Sequence, residues 1–125
     1  MVVASPDIPA RGKPAMDMSN CIRECLDCHR SCTETVIHVL HGGGHHAEAT
    51  HLVSLLDCAQ ICITSADFMA RHSPHHAHLC RECAEICEAC AKLCEEHEDP
   101  DGRMKANAEA CRRCAATCRE MAGAA

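Results

Sequence analysis

Apolar side chains and cysteines recur at gaps of three and four residues along most of the chain, while charged side chains fill the positions between them. This spacing places them on one face of an α-helix. In LCRECAEICEACAKLC, residues 79–94, Leu79, Ile86 and Leu93 repeat every seven residues, whereas Glu88 lies on the opposite face. The pattern predicts amphipathic helices, each with one buried face.

Breaks in the pattern mark where the helices end. We predict a first helix over about 17–41, because the glycine run 42–44 can close a helix in the left-handed conformation, and a second helix over about 46–72. The Ser-Pro pair at 73–74 is typical of an N-cap followed by a first-turn proline. The Asp-Pro pair at 99–100 is similar, so we predict a third and a fourth helix after these pairs.

Four helices joined by short loops favour an all-α fold, an antiparallel up-down four-helix bundle with a cysteine-lined core. Residues 17–125 would form this single domain, which is long enough to bury a core. Residues 1–16 contain three prolines, and we expect them to be a disordered tail.

The composition of the predicted core is unusual. The 125 residues include 14 cysteines and 11 histidines but no tryptophan, no tyrosine and one phenylalanine. Within each predicted helix every gap between cysteines is three or four, so all the thiols should point at the common axis. The cysteines are Cys21, Cys25, Cys28, Cys32, Cys58, Cys62, Cys80, Cys83, Cys87, Cys90, Cys94, Cys111, Cys114 and Cys118.

Core filling is one explanation of these thiols, because free cysteine packs as a small hydrophobe. Leucine or isoleucine would bury more apolar area at each position, where full burial of such a side chain contributes about 1.5–3 kcal/mol, so a ligand role is favoured. Six pairs are spaced i, i+4, which places their Cβ atoms about 5–6 Å apart on one helix face, where two sulfurs can bind one ion. The pairs are Cys21/Cys25, Cys28/Cys32, Cys58/Cys62, Cys83/Cys87, Cys90/Cys94 and Cys114/Cys118.

The choice of metal depends on ligand softness and on buried charge. Thiolate-rich sites select Cu(I), zinc or iron–sulfur clusters. Zinc takes four thiolates, and the resulting double negative charge is costly to bury repeatedly. Cu(I) is satisfied by two or three sulfurs, and iron–sulfur clusters usually take closely spaced loop cysteines. We therefore predict several Cu(I) ions per chain, with a zinc–thiolate protein as an alternative.

Two other functions would also use clustered cysteines. A copper chaperone would need an exposed CxxC on a mobile loop, whereas these thiols belong to a buried stripe. A thiol-redox enzyme would need a βαβ setting, and no strand pattern is seen in the sequence. We therefore predict a storage or sequestration protein that is not an enzyme.

Charge and targeting signals limit the partners and the compartment. The net charge is −6 with neutral histidines, whereas nucleic-acid binding would need a basic face. We find no export signal in the first twenty residues and no run of about 18 apolar residues that would span a membrane. We therefore expect a soluble, cytoplasmic protein whose thiols stay reduced.

Methionines and histidines extend the cysteine stripes at both ends of the predicted bundle. They are Met18, Met69, His72, His76 and Met121 at the end that holds the chain termini, and His51, His97 and Met104 at the other end. The thioether ligands suggest a copper entrance at the first end, although methionine is equally suited to flexible core filling. Loop histidines such as His45 and His46 are usually solvated, but a cluster of them could bind a divalent metal.

Four segments carry a resemblance to a known family. They are CIRECLDCHRSC, DCAQIC followed by ADFMARHS, LCRECAEICEACAKLCEEH and CRRCAATCREM. In this order they resemble the four helices of the four-helix-bundle copper storage proteins of the cytosolic, signal-less type, over about residues 18–122. The resemblance implies a homotetramer of bundles, each holding many Cu(I) ions on inward cysteines, mainly in CxxxC pairs, with histidine and methionine near the ends. This chain differs in having one cysteine pair in its second helix, and Val36 and Val39 continue its first stripe.

Overall fold

The computed structural model describes residues 17–123, and within that range the regular elements are all helices. They are α1 (Ser19–Gly42), α2 (Ala49–Ala70), α3 (His76–Cys94) and α4 (Arg103–Gly123), with a short 3-10 helix at His45–Ala47. The predicted all-α four-helix bundle is confirmed. The predicted disordered tail, residues 1–16, lies outside the described residues.

The helices pack in chain order around one axis. Helix α1 contacts α2, α2 contacts α3, α3 contacts α4, and α4 closes the ring against α1. Because the connections are short, consecutive helices run in opposite directions, and each presents one face to the common axis. The stripes of cysteines on the four helices therefore face one another.

The connection between α1 and α2 differs from the prediction. Helix α1 ends where Gly43 adopts a φ of 71° and donates its N–H to the Val39 carbonyl at 2.8 Å. The predicted start of the second helix is too early, because Glu48 has an extended backbone with a ψ of 152°. This residue separates the 3-10 helix from α2.

The polar residues predicted to cap α3 and α4 do contact backbone N–H groups. The Ser73 hydroxyl accepts a hydrogen bond from the His75 N–H at 3.1 Å, in the turn before α3. The Asp99 carboxylate accepts from the N–H groups of Met104 and Lys105 at 3.0 and 2.8 Å, in the first turn of α4. Asp99 therefore acts on N–H groups of the first turn that have no partner within the helix, whereas the prediction of Ser73 as an N-cap is wrong, because α3 begins at His76 and its N-cap is His75.

Among the described residues, α2 is the one helix that is long and apolar enough by composition to cross a membrane. Its mean hydropathy is 1.4, and 39% of the window is buried within the bundle. A core helix of a soluble protein passes the same test, so this helix alone is weak evidence for a membrane span. Its cysteines face the core of the bundle, while Val53 and Leu56 are exposed on its outer side.

Candidate metal centre

All fourteen cysteines are free and lie in the core, with at most 2% of each residue exposed. Their sulfurs contact one another along the bundle axis, and we call these fourteen residues the thiol column. Contacts between helices include Cys21–Cys118 (3.6 Å), Cys25–Cys114 (3.6 Å), Cys62–Cys83 (3.7 Å), Cys58–Cys87 (3.5 Å), Cys28–Cys58 (3.7 Å) and Cys32–Cys111 (3.9 Å).

The thiol column contains four groups of sulfurs whose members all lie within 4.8 Å of one another. The groups are Cys21, Cys80 and Cys118; Cys25, Cys83, Cys114 and Cys118; Cys28, Cys62, Cys87 and Cys114; and Cys28, Cys32, Cys58 and Cys111. Each group draws on at least three helices. Because Cys28, Cys114 and Cys118 each belong to two groups, neighbouring groups are linked by shared sulfurs.

Three of the six predicted pairs within one helix have their sulfurs close together, Cys83/Cys87 in direct contact and Cys28/Cys32 and Cys114/Cys118 within 4.8 Å, but contacts between helices are more prominent. Cys83 and Cys87 have their sulfurs 3.9 Å apart within α3. Cys58 instead contacts sulfurs on three other helices, those of Cys28, Cys87 and Cys111, at 3.5–3.9 Å. A metal ion in the thiol column can therefore be bound by sulfurs of one helix or of several helices.

The sulfur spacing suits ions placed between the thiols. Three sulfurs around one ion at metal–sulfur distances of about 2.3 Å would lie about 4 Å apart. The measured contacts of 3.5–3.9 Å are close to that value. The thiol column therefore needs only small side-chain movements to accept metal.

Contacts between thiols shift their pKa values in both directions. The pKa of Cys111 is raised above the ordinary value of 9.0, first by its contact with Cys28 and also by burial. The pKa of Cys28 is lowered, first by the same contact with Cys111, because a neighbouring S–H stabilises the thiolate. The pKa is raised for Cys25, Cys32, Cys58, Cys62, Cys80, Cys87, Cys94, Cys111 and Cys118, and lowered for Cys21, Cys28, Cys83, Cys90 and Cys114. A bound metal must therefore displace protons from most of the thiols.

The metal-free protein is expected to lose stability as the pH rises above the ordinary thiol pKa of 9.0. Cys118 has the largest influence on Cys80 and lowers its pKa, but contact with Cys21 and burial outweigh this and raise the pKa of Cys80 to about 12. Above pH 9.0 the unfolded chain loses thiol protons that the folded chain keeps, so the free energy of unfolding falls through the window from 9.0 to about 12. The thiols with lowered pKa act in the opposite direction, but mainly below pH 9.0, because above it both the folded and the unfolded chain have lost those protons.

Denaturant unfolding of the reduced, metal-free protein at several pH values from about 8 to about 11 measures this effect. A free energy of unfolding that stays constant or rises across that range would contradict it.

At one end of the thiol column, His51 contacts Cys94. The His51 Nε2 lies 3.4 Å from the Cys94 sulfur, and its Nδ1 lies 2.9 Å from the His46 carbonyl oxygen. Because a carbonyl only accepts, Nδ1 carries the proton and Nε2 presents its lone pair to Cys94. Burial, and then the neighbouring His46, lower the pKa of His51, which favours its neutral form. A neutral imidazole oriented by its second nitrogen is a well-prepared metal ligand.

A polar network that the sequence analysis did not predict lies at the same end of the thiol column. The buried Asn107 amide donates to the Cys94 sulfur at 3.4 Å and to the Cys111 sulfur at 3.8 Å, and its oxygen accepts from the Ser31 hydroxyl at 2.7 Å. Arg103 in turn donates to the Ser31 hydroxyl at 2.7 Å. A positive charge thus orients the amide that donates to the last sulfurs of the thiol column.

The spacing of three and four residues could have identified the core members of that network. It extends the α4 stripe from Cys111 back to Asn107 and the α1 stripe from Cys32 on to Thr35. The prediction that Val36 and Val39 continue the α1 stripe is correct for Val39, which is buried, and wrong for Val36, which is only partly buried. Thr35, fully buried, occupies the core position instead.

The predicted residues at the end that holds Ser19 and the last turn of α4 are partly brought together. Met18, Met69 and His72 line one cavity of about 290 Å³. Met121 packs partly buried against the core. His76 does not line this cavity and contacts the Ser73 carbonyl oxygen at 3.0 Å through Nδ1.

At the opposite end, His51, His97 and Met104 are partly brought together. His51 faces Cys94 and lines a cavity of about 100 Å³ together with His97, whereas His97 and Met104 line a second cavity of about 640 Å³. Met104 is buried and His97 is exposed.

A four-helix bundle whose axis is a buried column of reduced thiols defines a class of proteins that can hold several soft metal ions in one core. The family described as Csp, copper storage protein, matches this chain over residues 15–123. The chain belongs to the copper storage protein family.

Solved structures agree with this assignment. A Nitrosospira multiformis protein is 43% identical, with a TM-score of 0.81, and the match covers 86% of this chain and 96% of that one. The Cu(I)-bound copper storage protein BsCsp3 is 34% identical, with a TM-score of 0.78 and coverage of 84% and 97%. The apo form of copper storage protein 3 from Bacillus subtilis is 32% identical, with a TM-score of 0.75 and coverage of 85% and 99%. A search of curated protein sequences finds no match.

Proposed function

We propose that this chain stores Cu(I) by binding several ions to the fourteen cysteines of the thiol column. The observation that carries the proposal is the linkage of four buried sulfur groups through Cys28, Cys114 and Cys118. Shared sulfurs allow thiolates to bridge neighbouring ions, so the number of ions can approach the number of thiols while little net charge is buried. Isolated four-thiolate zinc sites would not need such sharing.

Residues at both ends of the thiol column would complete the binding set. His51 is placed to add a nitrogen ligand beside Cys94. Met18, Met69 and His72 share a cavity at the other end of the bundle and offer weaker ligands for ions that enter or leave. His76, Met121 and Met104 are less well placed for this role.

A competition experiment distinguishes copper from zinc storage. We expect one equivalent of Cu(I) per thiol to displace Zn2+ completely from protein loaded with zinc beforehand, because bridging satisfies Cu(I) but not zinc. Released zinc is measured with a zinc-specific chromophore. Retention of zinc in the presence of Cu(I) would favour the zinc–thiolate alternative.

Burial of the thiols supports storage over catalysis and delivery. No cysteine in the thiol column is more than 2% exposed, so a protein partner or substrate has no direct access to a thiolate. A chaperone exchanges its ion through exposed ligands, and a thiol enzyme needs an accessible nucleophile. We therefore infer a binding protein without a catalytic cycle.

The free thiols also support a reducing compartment. Sulfurs separated by 3.5–3.9 Å would readily form disulfides under oxidising conditions, which would remove metal ligands. We therefore infer that the protein works in the cytoplasm, and that residues 17–125 act as one copper-binding domain.

An apolar strip on the outside of α1 and α2 supports a homo-oligomer, which the family resemblance suggests is a tetramer. The strip consists of Leu26, Ile37 and Leu40 on α1 and Val53 and Leu56 on α2, each 44–56% exposed. Apolar patches of this kind commonly mark protein interfaces.

Sedimentation velocity tests this interface. We expect the unchanged protein to sediment as an oligomer and the double variant Ile37→Glu with Val53→Glu to sediment as a monomer, because two buried charges would disfavour association. Arg81→Glu, at an exposed polar position of α3 and away from the apolar strip, is the control and should stay oligomeric. A monomeric unchanged protein would contradict the proposal.

A further inference from the structure

A second group of metal-binding side chains lies outside the thiol column. His45 begins the 3-10 helix between α1 and α2, Glu48 directly follows that helix, and His97 lies in the loop between α3 and α4. One ligand atom from each of the three lies within 4.8 Å of the others. We propose that His45, Glu48 and His97 bind one divalent transition-metal cation, such as Zn2+, separately from the copper in the core.

The contacts within this group are those of ligands already gathered in one place. The His45 Nδ1 lies 3.7 Å from a Glu48 carboxylate oxygen, and the His45 and His97 rings stack with centroids 4.4 Å apart. The side chains of His45 and Glu48 are 69% and 64% exposed, so they can turn towards an ion without disturbing the core. Two nitrogens around zinc would lie about 3.3 Å apart at metal–nitrogen distances of about 2.0 Å. The ligand atoms, which lie within 4.8 Å of one another, would therefore move closer together on binding.

An independent observation points to a ligand at the same place. His45, His46, Glu48 and His97 line a common cavity of about 100 Å³. The His46 Nε2 is buried and has no hydrogen-bond partner among the described residues, and the His46 ring meets that of His97 at a centroid distance of 5.8 Å. A buried nitrogen without a partner is costly, and a bound ion with its water molecules would supply one.

The donor set selects the class of cation. Two imidazoles and a carboxylate suit zinc and its neighbours among the divalent metals, whereas Cu(I) prefers the thiolates of the column and Ca2+ or Mg2+ prefers oxygen ligands alone. Glu96 also lines the cavity and adds negative charge.

Binding would join two loops over one end of the thiol column. The 3-10 helix and the loop that contains His97 have no covalent link to each other, and the ion would bridge them. His46 contacts His51 at 3.2 Å, and His51 contacts Cys94 at 3.4 Å, so the bridged loops cover the last cysteine of the column.

Cobalt absorption spectroscopy tests the site because Co2+ reports its ligands. Protein whose thiols have first been filled with Cu(I) is titrated with Co2+. We expect one Co2+ per chain, with the weak visible bands of nitrogen and oxygen ligation and no thiolate-to-cobalt charge-transfer band. An intense charge-transfer band would place the ion in the thiol column and overturn the proposal.

Matched double variants complete the test. His45→Ala with His97→Ala should weaken Co2+ binding by about 100-fold or more, since even residues that only support a metal ligand contribute 10–100-fold. His75→Ala with His78→Ala removes two exposed histidines at the other end of the bundle and should leave binding unchanged. Equal affinities in the two double variants would overturn the site.

A second readout follows the loops themselves. Zn2+ should slow amide hydrogen exchange at 43–48 and 95–99 in the Cu(I)-filled protein and in the His75/His78 variant, but not in the His45/His97 variant. An unchanged exchange rate in the parent protein would also overturn the proposal.

An unchanged Cu(I) content of each variant shows that its bundle is folded. The single variant Glu48→Gln, which keeps both histidines, should weaken Co2+ binding as well.

Discussion

Filling the thiol column with Cu(I) is expected to raise the melting temperature of the protein by about 20 °C or more. Each bound ion adds about 4 kcal/mol to the free energy of unfolding when its free concentration is 1,000 times its dissociation constant. Several ions act together here, because the sulfur groups draw ligands from all four helices. The bound metal would therefore crosslink the bundle at several levels.

Differential scanning calorimetry of reduced protein with increasing Cu(I) measures this stabilisation. The melting temperature should rise stepwise until the thiols are filled and return to its original value when a strong Cu(I) chelator removes the metal. A melting temperature that does not change on loading would mean that the ions bind outside the core.

Removing the two cysteines of α2 is expected to have the largest effect on capacity. Cys58 and Cys62 supply both thiols of α2, and Cys62 contacts Cys83, Cys87 and Cys114 at 3.7–3.8 Å. The double variant Cys58→Ala with Cys62→Ala should bind about two to four fewer Cu(I) ions, because each ion takes two or three sulfurs and each of these sulfurs is shared. It should also lose about 1 kcal/mol of metal-free stability per substitution.

Ser65→Ala is the matched control on the same helix. Its hydroxyl is buried and donates to the Leu79 carbonyl at 3.2 Å, so its loss should destabilise the metal-free protein by about 1 kcal/mol without removing a sulfur. Equilibrium dialysis against a Cu(I) chelator gives the ion count for both variants. An unchanged count in the cysteine variant would contradict the role of α2.

The positions of the fourteen core cysteines could be predicted because they follow helical geometry alone. Gaps of three and four residues place a side chain on one face whatever the neighbouring helices do. The same rule extends to Thr35, Ser65 and Asn107, which are all fully buried. These three residues could have been recognised from their register even though they are polar.

Contacts between helices were beyond prediction from the spacing. Whether Cys58 meets Cys87 or His51 meets Cys94 depends on the relative height and rotation of neighbouring helices, which a pattern within one helix does not contain. The group formed by His45, Glu48 and His97 depends in addition on the path of two loops. A glycine run predicts where a helix stops but not where the following residues go.

The ion count per chain tests the central claim most directly. Reduced, metal-free protein is titrated with Cu(I) in the presence of a competing chromophoric chelator, and the ions withheld from the chelator are counted against the measured thiols. The account predicts on the order of ten Cu(I) ions per chain, because shared sulfurs bring the ratio of metal to thiol towards one. One or two ions per chain would contradict storage in the thiol column and indicate a delivery protein instead.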